Sequence, residues 1–473
     1  MQIDEEYFNN EEFRENLKAY EDSVKSGHPI FLDADDLTDI VDYYNMMHMD
    51  DKAEQAADYA LTMFPGASGP ITFKVRKYID ANQLDKADEL AENVSDKEID
   101  YKYVKAEIFL ARNNPEEADM LFDEVMEVAD EEEMDNCILD AANTFFDYSY
   151  FEYAYKWLKK VEDRNTDDYI ELKVRTLSSL GEIDKVEKML NKLIDSNPFD
   201  HKYWNLMSGA QLMNDKVPEA LTSSEYSLAV APDNPGGLLS KAQVLMRMYR
   251  FEDAIEFYKT YLKQYPSDVN SYMQIGYCYM NLSKNASAIL AYKKAEKYAN
   301  NAPDILHSIY ENIALAYSHI ENAPMALKYI DKLAKLKSNK DKFHAALLKS
   351  YVFLETGRTK EGVVTLATIL EATNYSPVFV LKVSVVLYEN HLIDAAYMLM
   401  RDNYPLDDPN MLFGYSYYAL YCYDLEKDEE FLKYLKIAIE RNPEEVEMAL
   451  HTLFPEGMKP SEYYDYMKNK KNN

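Results

Sequence analysis

The fold is indicated most clearly by residues 269–302, which have the sequence VNSYMQIGYCYMNLSKNASAILAYKKAEKYANNA. Each half of this stretch carries apolar or small residues at spacings of three and four, which place them on one face of a helix. They are Tyr272, Ile275, Gly276 and Tyr279 in the first half, and Ala288, Tyr292 and Ala295 in the second. The stretch therefore predicts two antiparallel helices that approach most closely at Gly276 and Ala288.

The same pattern returns with a period of 34 residues. Pro198, Pro232 and Pro266 are 34 residues apart, and Asn300 occupies the next equivalent place. Because proline cannot continue a helix, each of these residues is expected to follow the end of a second helix. The unit that begins at His201 has matching residues at the same offsets, namely Trp204, Met207, Ser208, Ala220 and Pro232.

A helical hairpin repeated every 34 residues resembles the tetratricopeptide repeat family. Counted from Val269, the matching residues fall at the family's positions 4, 7, 8, 11, 20, 24 and 27. About twelve such units fit between Ala34 and Glu445. The residue at position 20 is small in nearly all of them: Ala53, Ala87, Ala118, Ala154, Val186, Ala220, Ala254, Ala288, Ala326, Gly362 and Ala395, with Phe431 in the last unit, which starts at Leu412.

The resemblance implies an all-α fold, a right-handed superhelical α-solenoid. We expect a capping helix within residues 1–33, the repeat array in 34–445, and capping helices with a frayed tail in 446–473. The N-terminal cap is an amphipathic segment over residues 5–27, and the C-terminal caps cover residues 444–454 and 461–469. One departure from the family pattern is a lysine at the usually apolar position 7, which is found at Lys74, Lys105, Lys173, Lys241 and Lys382.

The chain is strongly acidic, with a formal net charge of −33. Residues 1–166 hold most of this charge, because they contain 16 Lys and Arg against 42 Asp and Glu. Such a field repels phosphate backbones and anionic lipids, so we expect neither nucleic acid nor membrane partners. No stretch approaches the roughly 20 apolar residues of a membrane span, and no signal peptide is evident, so we expect a cytoplasmic protein.

The sequence does not contain the common catalytic or cofactor-binding motifs. It has no HExxH, no phosphate-binding GxxxxGK[ST] loop and no GxSxG. The eight histidines are scattered, and the three cysteines are expected to be buried thiols. We therefore expect no catalytic residues, no metal site and no cofactor.

The family resemblance implies where a partner would bind. In tetratricopeptide arrays, positions 2, 5, 9, 12 and 13 of each first helix line the concave groove; we call these positions the first-helix face. The predicted partner-binding residues on this face are Arg175, Lys202, Asn205, Gln243, Arg247, Met273, Tyr277, Met280 and Tyr351, with Met246 and Asn270 beside them. Toward the C-terminus the face is expected to become apolar, with Leu315, Val380, Leu387 and Leu420.

These features favour a non-catalytic scaffold or adaptor that binds a peptide or helix of a protein partner in the concave groove. A sensor array for a small ligand, or an array that assembles with itself as a homo-oligomer, is the alternative. An enzyme or an RNA-binding array is less favoured by the motifs and the charge. The acidic N-terminal units could bind a separate, basic partner through Thr38, Asp42, Thr72, Arg76, Glu107 and Asn143.

Overall fold

The computed structural model describes residues 8, 10–28, 30–47, 49–94, 99–299, 303–336, 343–455 and 457–472. Within these residues all regular structure is helical, which confirms the all-α prediction. The helices are α1 (Glu11–Ser26), α2 (Ala34–Met46), α3 (Asp50–Met63), α4 (Ser68–Asp80), α5 (Leu84–Ala91), α6 (Ile99–Ala111), α7 (Pro115–Met126), α8 (Met134–Asp147), α9 (Phe151–Leu158), α10 (Asp167–Ser179), α11 (Ile183–Ser196), α12 (His201–Met213), α13 (Val217–Val230), α14 (Pro235–Arg247), α15 (Phe251–Gln264), α16 (Val269–Asn281), α17 (Asn285–Tyr298), α18 (Pro303–Ser318), α19 (Ala323–Leu333), α20 (His344–Glu355), α21 (Thr359–Ala372), α22 (Pro377–Glu389), α23 (Ile393–Asn403), α24 (Tyr415–Asp424), α25 (Asp428–Arg441), α26 (Pro443–Leu450) and α27 (Pro460–Asn472).

The helices from α2 to α25 form twelve successive hairpins, which we number 1 to 12 from α2–α3 to α24–α25. In all twelve the fourth residue of the second helix is buried, and in every hairpin except hairpin 11 it is the position-20 residue predicted from the sequence. Three of the second helices end two residues before Pro198, Pro232 or Pro266, as predicted. A short side chain at this point lets the first helix of the same hairpin pack closely against the second.

The structure corrects the sequence register of hairpin 11. Ala396, not Ala395, is the fourth residue of α23 and is fully buried, whereas Ala395 is exposed. Shifting the register by one residue moves Val380 and Leu387 from the predicted first-helix face into the core, where they are 0% and 7% exposed. Lys382 is likewise not at position 7, because the buried Val383 occupies that place. The true position 9 of this hairpin is the half-buried Val385.

A left-handed backbone conformation marks the turn of hairpins 2 to 12. The residue two places before each second helix has a positive φ, between 54° and 78°. Only two of these residues are glycines, although a side chain at such a φ costs about 1 kcal/mol relative to glycine. They are Asn82, Asn113, Ser149, Gly181, Asp215, Tyr249, Ser283, Glu321, Gly357, His391 and Glu426.

Most of the unexpected lysines at position 7 pair with an acidic residue on the second helix of the preceding hairpin. The Lys105 ammonium lies 2.5 Å from Glu92, and that of Lys241 lies 3.1 Å from Glu225. Lys74 pairs in the same way with Asp58. All three acidic partners occupy position 25, so one repeated ion pair accommodates the departure from the family pattern. Position 25 of hairpin 4 is a lysine, and there Lys173 donates instead to the Tyr169 hydroxyl at 2.6 Å.

The chain divides into two compact units. The N-terminal unit comprises Met1–Gln274 with Tyr298–Asn301, and the C-terminal unit comprises Ile275–Lys297 with Ala302–Asn473. In the N-terminal unit, α1 packs its buried Phe13 and Tyr20 against the core of hairpin 1, as a capping helix should. This helix begins at Glu11, after the N-cap Asn10; predicted cap residues 5–7 and 9 lie outside the described residues.

In the C-terminal unit one core extends from Leu347 to Met467. The caps belong to it, because α26 contributes Val446 and Leu450, and α27 contributes Tyr463 and Met467. Helix α27 continues through most of the segment that was expected to fray and ends at Asn472. Aromatic stacking also joins the caps, since the Phe454 and Tyr463 ring centroids lie 3.6 Å apart.

Candidate partner-binding surface

The three basic residues predicted to line the groove all lie exposed in the N-terminal unit, and each already has a neighbour within the chain. The Arg175 guanidinium lies 4.3 Å from the centroid of the Phe146 ring. Lys202 forms an ion pair with Asp167, and Arg247 Nη2 lies 2.7 Å from Asp215 Oδ1. Two of the three positive charges are therefore balanced locally, which weakens the attraction that this surface would exert on a carboxylate.

Asn205, a further predicted contact residue, is engaged in the packing between hairpins 6 and 7. Its amide oxygen accepts a 2.6 Å hydrogen bond from the Ser227 hydroxyl, and its amide nitrogen donates to Asn234 Oδ1 at 3.1 Å. The backbone of Gly236 passes so close that a Cβ there would lie 2.4 Å from Asn205 Nδ2. The side chain thus links α12 to α14 and is half-buried.

The two remaining predicted residues of the N-terminal unit are Gln243, which is exposed, and Met273, which is half-buried. Tyr277 and Met280 follow on the same helix but belong to the C-terminal unit, together with Tyr351. The predicted set is therefore divided between the two units.

Toward the N-terminus the first-helix face carries a charge pair whose carboxylate is buried and whose guanidinium is exposed. The Arg76 guanidinium on α4 donates to both carboxylate oxygens of Glu107 on α6, at 2.6 to 3.1 Å, and Glu107 is only 6% exposed. Both residues occupy position 9 of their hairpins. Asp42 occupies position 9 of hairpin 1, and burial, with Asp39 nearby, raises its pKa to about 6.

In the C-terminal unit, by contrast, position 9 carries an aromatic or aliphatic side chain in five consecutive hairpins. We call these residues the position-9 stripe: Tyr277, Leu315, Tyr351, Val385 and Leu420. Tyr277 is 50% exposed and the other four are half-buried. The first helices α18, α20 and α22 contact each other in order, and their stripe residues occupy the same position on each. Val385 was missed from the sequence because of the register error in hairpin 11.

A row of carboxylates runs beside the last three residues of this stripe, one turn further along α20, α22 and α24. Glu355, Glu389 and Asp424 all occupy position 13 of their hairpins. The Tyr388 hydroxyl donates to Asp424 Oδ2 at 2.7 Å, which ties hairpin 11 to hairpin 12 on this side. Burial raises the pKa of Tyr351 to about 12, and the negative charges of Glu355 and Glu389 act in the same direction. We call Glu355, Glu389 and Asp424 the acidic row.

Two further features of the C-terminal unit could bind small molecules or ions. A cleft of about 550 Å³ beside Tyr404–Asp408 contains Glu430, but this carboxylate already accepts hydrogen bonds from the hydroxyls of Tyr397 and Tyr418, at 3.0 and 3.1 Å. The second feature is a group of three possible metal ligands on α18 and α20, His307, Glu311 and His344. This group was not predicted from the sequence, because its members come from two different hairpins.

Comparison with known proteins matches residues 239–303 to the tetratricopeptide repeat family. No curated protein matches the chain. Among solved structures, residues 41 to the end of MamA from Desulfovibrio magneticus RS-1 are 15% identical; the match covers 36% of this chain and 95% of that one, with a TM-score of 0.33. A tetratricopeptide repeat protein from Parabacteroides merdae ATCC 43184 is 14% identical, with coverage of 50% and 90% and a TM-score of 0.40.

The matched residues 239–303 include residues 269–302, whose sequence indicates the helical hairpin most clearly, so the family resemblance is confirmed there. Across the described ranges, every helix is too short or too polar to cross a bilayer.

Proposed function

Because this chain carries tetratricopeptide repeats, which generally mediate protein–protein interactions, we propose that it is a non-catalytic scaffold whose C-terminal unit binds a peptide segment of a partner protein. The segment lies along the position-9 stripe and is an amphipathic helix or an extended strand. Its apolar side chains contact the stripe, and Lys or Arg residues beside them meet the acidic row. The single observation that carries the proposal is the pairing of an apolar row with a parallel row of carboxylates.

Physical chemistry supports this choice of partner. Partly exposed Tyr and Leu side chains at equivalent positions of successive helices offer apolar area that a partner can remove from water. Tyr277 and Tyr351 add large contact area at low cost in side-chain entropy, as tyrosines do at many interfaces. A basic segment would also be attracted to the acidic row, most strongly at low salt.

The predicted residues of the N-terminal unit have a secondary role in this proposal. Arg175, Lys202, Gln243, Arg247 and Met273 remain predictions as contact residues. Since Lys202 and Arg247 are paired with Asp167 and Asp215, they contribute less to the free energy of binding than the stripe does.

The test uses the full-length protein and two fluorescent peptides, measured by fluorescence anisotropy. Both peptides carry leucines at helical spacing; one has lysines and the other glutamates on the flanks of the apolar face. We expect the lysine peptide to bind at least about tenfold more tightly, and its affinity to fall as salt is raised. Equal affinities for the two peptides, or no binding of either, would contradict the proposal.

Matched charge reversals then locate the surface. Glu355→Lys/Glu389→Lys reverses the acidic row, while Glu444→Lys/Glu447→Lys makes the same change in charge on the exposed side of α26. We expect the first variant to lose the lysine peptide and the second to retain it. Arg175→Glu/Lys202→Glu/Arg247→Glu should also retain it. If only this triple variant lost the peptide, the binding surface would lie in the N-terminal unit instead.

A further inference from the structure

Three side chains with metal-binding atoms converge in the C-terminal unit. His307 and Glu311 are four residues apart on α18 and so lie on one face of that helix. His344 is the first residue of α20, in the next hairpin. One potential ligand atom from each residue lies within 4.8 Å of those of the other two. We propose that His307, Glu311 and His344 form a binding site for a divalent transition-metal ion of the zinc type.

The repeat geometry explains why these residues meet. Glu311 is at position 5 of hairpin 9, and His344 is at position 2 of hairpin 10. The same two positions touch elsewhere in the chain, because Gly69 and Gly236, both at position 2, pack against Thr38 and Asn205 at position 5 of the hairpins before them. At those contacts one partner is glycine. Here both positions carry ligating side chains, and His307 adds a third from the preceding turn of α18.

The distances suit coordination after a small closure. The imidazole Nε2 of His344 lies 3.3 Å from Oε1 of Glu311, and the two histidine ring centroids are 5.0 Å apart. A tetrahedral ion with bonds of about 2.0–2.2 Å holds its ligand atoms about 3.4 Å from each other. The His344–Glu311 pair already has this separation, and the remaining pairs need to shorten by at most about 1.4 Å. Rotation of half-exposed side chains is sufficient for such a movement.

The donor set selects the class of ion. Two imidazoles and one carboxylate favour zinc and its neighbours in the first transition row over Mg²⁺ and Ca²⁺, which prefer all-oxygen sites. Glu311 supplies the carboxylate oxygen and the two histidines supply the imidazole nitrogens of this donor set. All three side chains are half-buried, so water can fill the remaining coordination positions.

A bound ion would connect the first helices of two consecutive hairpins. It would also lie on the first-helix face, since positions 2 and 5 belong to that face, close to where the position-9 stripe passes Leu315 and Tyr351. The proposal does not depend on peptide binding, because three side chains of this chain alone form the site.

The experiment measures Zn²⁺ binding to the chelator-treated, full-length protein by isothermal titration calorimetry. We expect one site that is lost in His307→Ala and in His344→Ala, with a fall in affinity greater than the 10- to 100-fold typical of removing an outer-shell group. His319→Ala is the matched control, because His319 Nε2 lies 3.6 Å from Glu355 Oε1 in a similar histidine–carboxylate pair. This control should bind Zn²⁺ like the wild type.

A second measurement separates metal binding from folding. Excess Zn²⁺ should raise the melting temperature of the wild type and of His319→Ala, but not that of His307→Gln or Glu311→Gln. Circular dichroism of the metal-free variants checks that all of them fold. The proposal is overturned if the wild type takes up no Zn²⁺ at micromolar concentration, or if the His307 and His344 variants bind it as tightly as the wild type.

Discussion

Position 9 of the hairpins carries different kinds of side chain in the two units. From hairpin 1 to hairpin 7 this position holds only polar residues or glycine, and from hairpin 8 onward only aromatic or aliphatic ones. The N-terminal set is Asp42, Arg76, Glu107, Asn143, Arg175, Gly209 and Gln243; the C-terminal set is the position-9 stripe. The difference shows that this position is not fixed by the fold, since both sets are compatible with the same packing of first helices. It is therefore a position at which the hairpins of this chain can change their surface chemistry.

The largest expected effect comes from breaking the Arg76–Glu107 ion pair in the N-terminal unit. Arg76→Met leaves the nearly buried Glu107 carboxylate without its guanidinium partner, and we expect the free energy of unfolding to fall by about 2–3 kcal/mol. Arg76→Met/Glu107→Met should recover most of this loss, since two apolar side chains would then make position 9 resemble that of the C-terminal unit. Urea denaturation of the single and double variants measures both values.

An Arg76→Met/Glu107→Met variant as unstable as Arg76→Met alone would contradict this account, since the loss would then not come from the unpaired carboxylate. The corresponding change in the C-terminal unit, Tyr351→Met, replaces one half-buried apolar side chain with another and should cost less than about 1.5 kcal/mol.

Asp42, at position 9 of hairpin 1, is expected to make the free energy of unfolding depend on pH. Its pKa is about 6 in the folded protein and 3.8 in the reference state, so the folded state holds its proton to higher pH. The contribution of the Asp42 carboxyl to the free energy of unfolding is therefore fully present below about pH 4 and is lost as the pH rises through 6. We expect Asp42→Asn to raise the free energy of unfolding by about 1–2 kcal/mol at neutral pH, an estimate reduced for partial exposure of the side chain, and to have little effect near pH 4.

Urea midpoints of wild type and Asp42→Asn, measured side by side across this range, test the sign. A gain that is equal at both ends of the range would mean that Asp42 acts through packing and not through its charge.

The smallest effects are expected where the two units are alike, in the turns. Gly181 and Gly357 have φ values of 72° and 78°, and no atom lies within 4 Å of where their Cβ would be, so alanine there meets backbone strain alone. We expect Gly181→Ala and Gly357→Ala each to cost about 1 kcal/mol. The converse changes, Tyr249→Gly and Glu321→Gly, should each stabilise the protein by up to about 1 kcal/mol. Melting temperatures of the four variants measure these effects, which should not differ between the units.

The sequence predicted the hairpins well because their determinants are local. The spacing of Pro198, Pro232 and Pro266 and the small residue at position 20 give both the period and the closest approach of the helices. Hairpin 11 was misplaced because Ala395 and Ala396 are adjacent, and identity alone cannot tell which one is buried. The stripe formed by Val380, Val383, Ser384 and Leu387, all buried, would have decided in favour of Ala396.

The candidate sites were predicted less completely, because they depend on contacts between hairpins. Nothing in the neighbourhood of Lys202 or Arg247 in the sequence indicates that Asp167 and Asp215, each more than 30 residues earlier, would balance their charge. His307 and His344 are likewise 37 residues apart and looked unrelated. Comparing position 5 of each hairpin with position 2 of the next would have placed His344 beside Glu311.

The ion pairs between position 7 and position 25 also bear on whether the repeats are interchangeable. Lys105 in hairpin 3 pairs with Glu92 at position 25 of the hairpin before it, and also with Asp88. A gene rearrangement that placed hairpin 3 after hairpin 4 would set Lys105 against Lys159, a like charge at a half-buried position. At several junctions these ion pairs therefore favour one particular hairpin as the neighbour of another. Duplication or shuffling of single repeats is constrained in order even though every repeat is a hairpin of two helices.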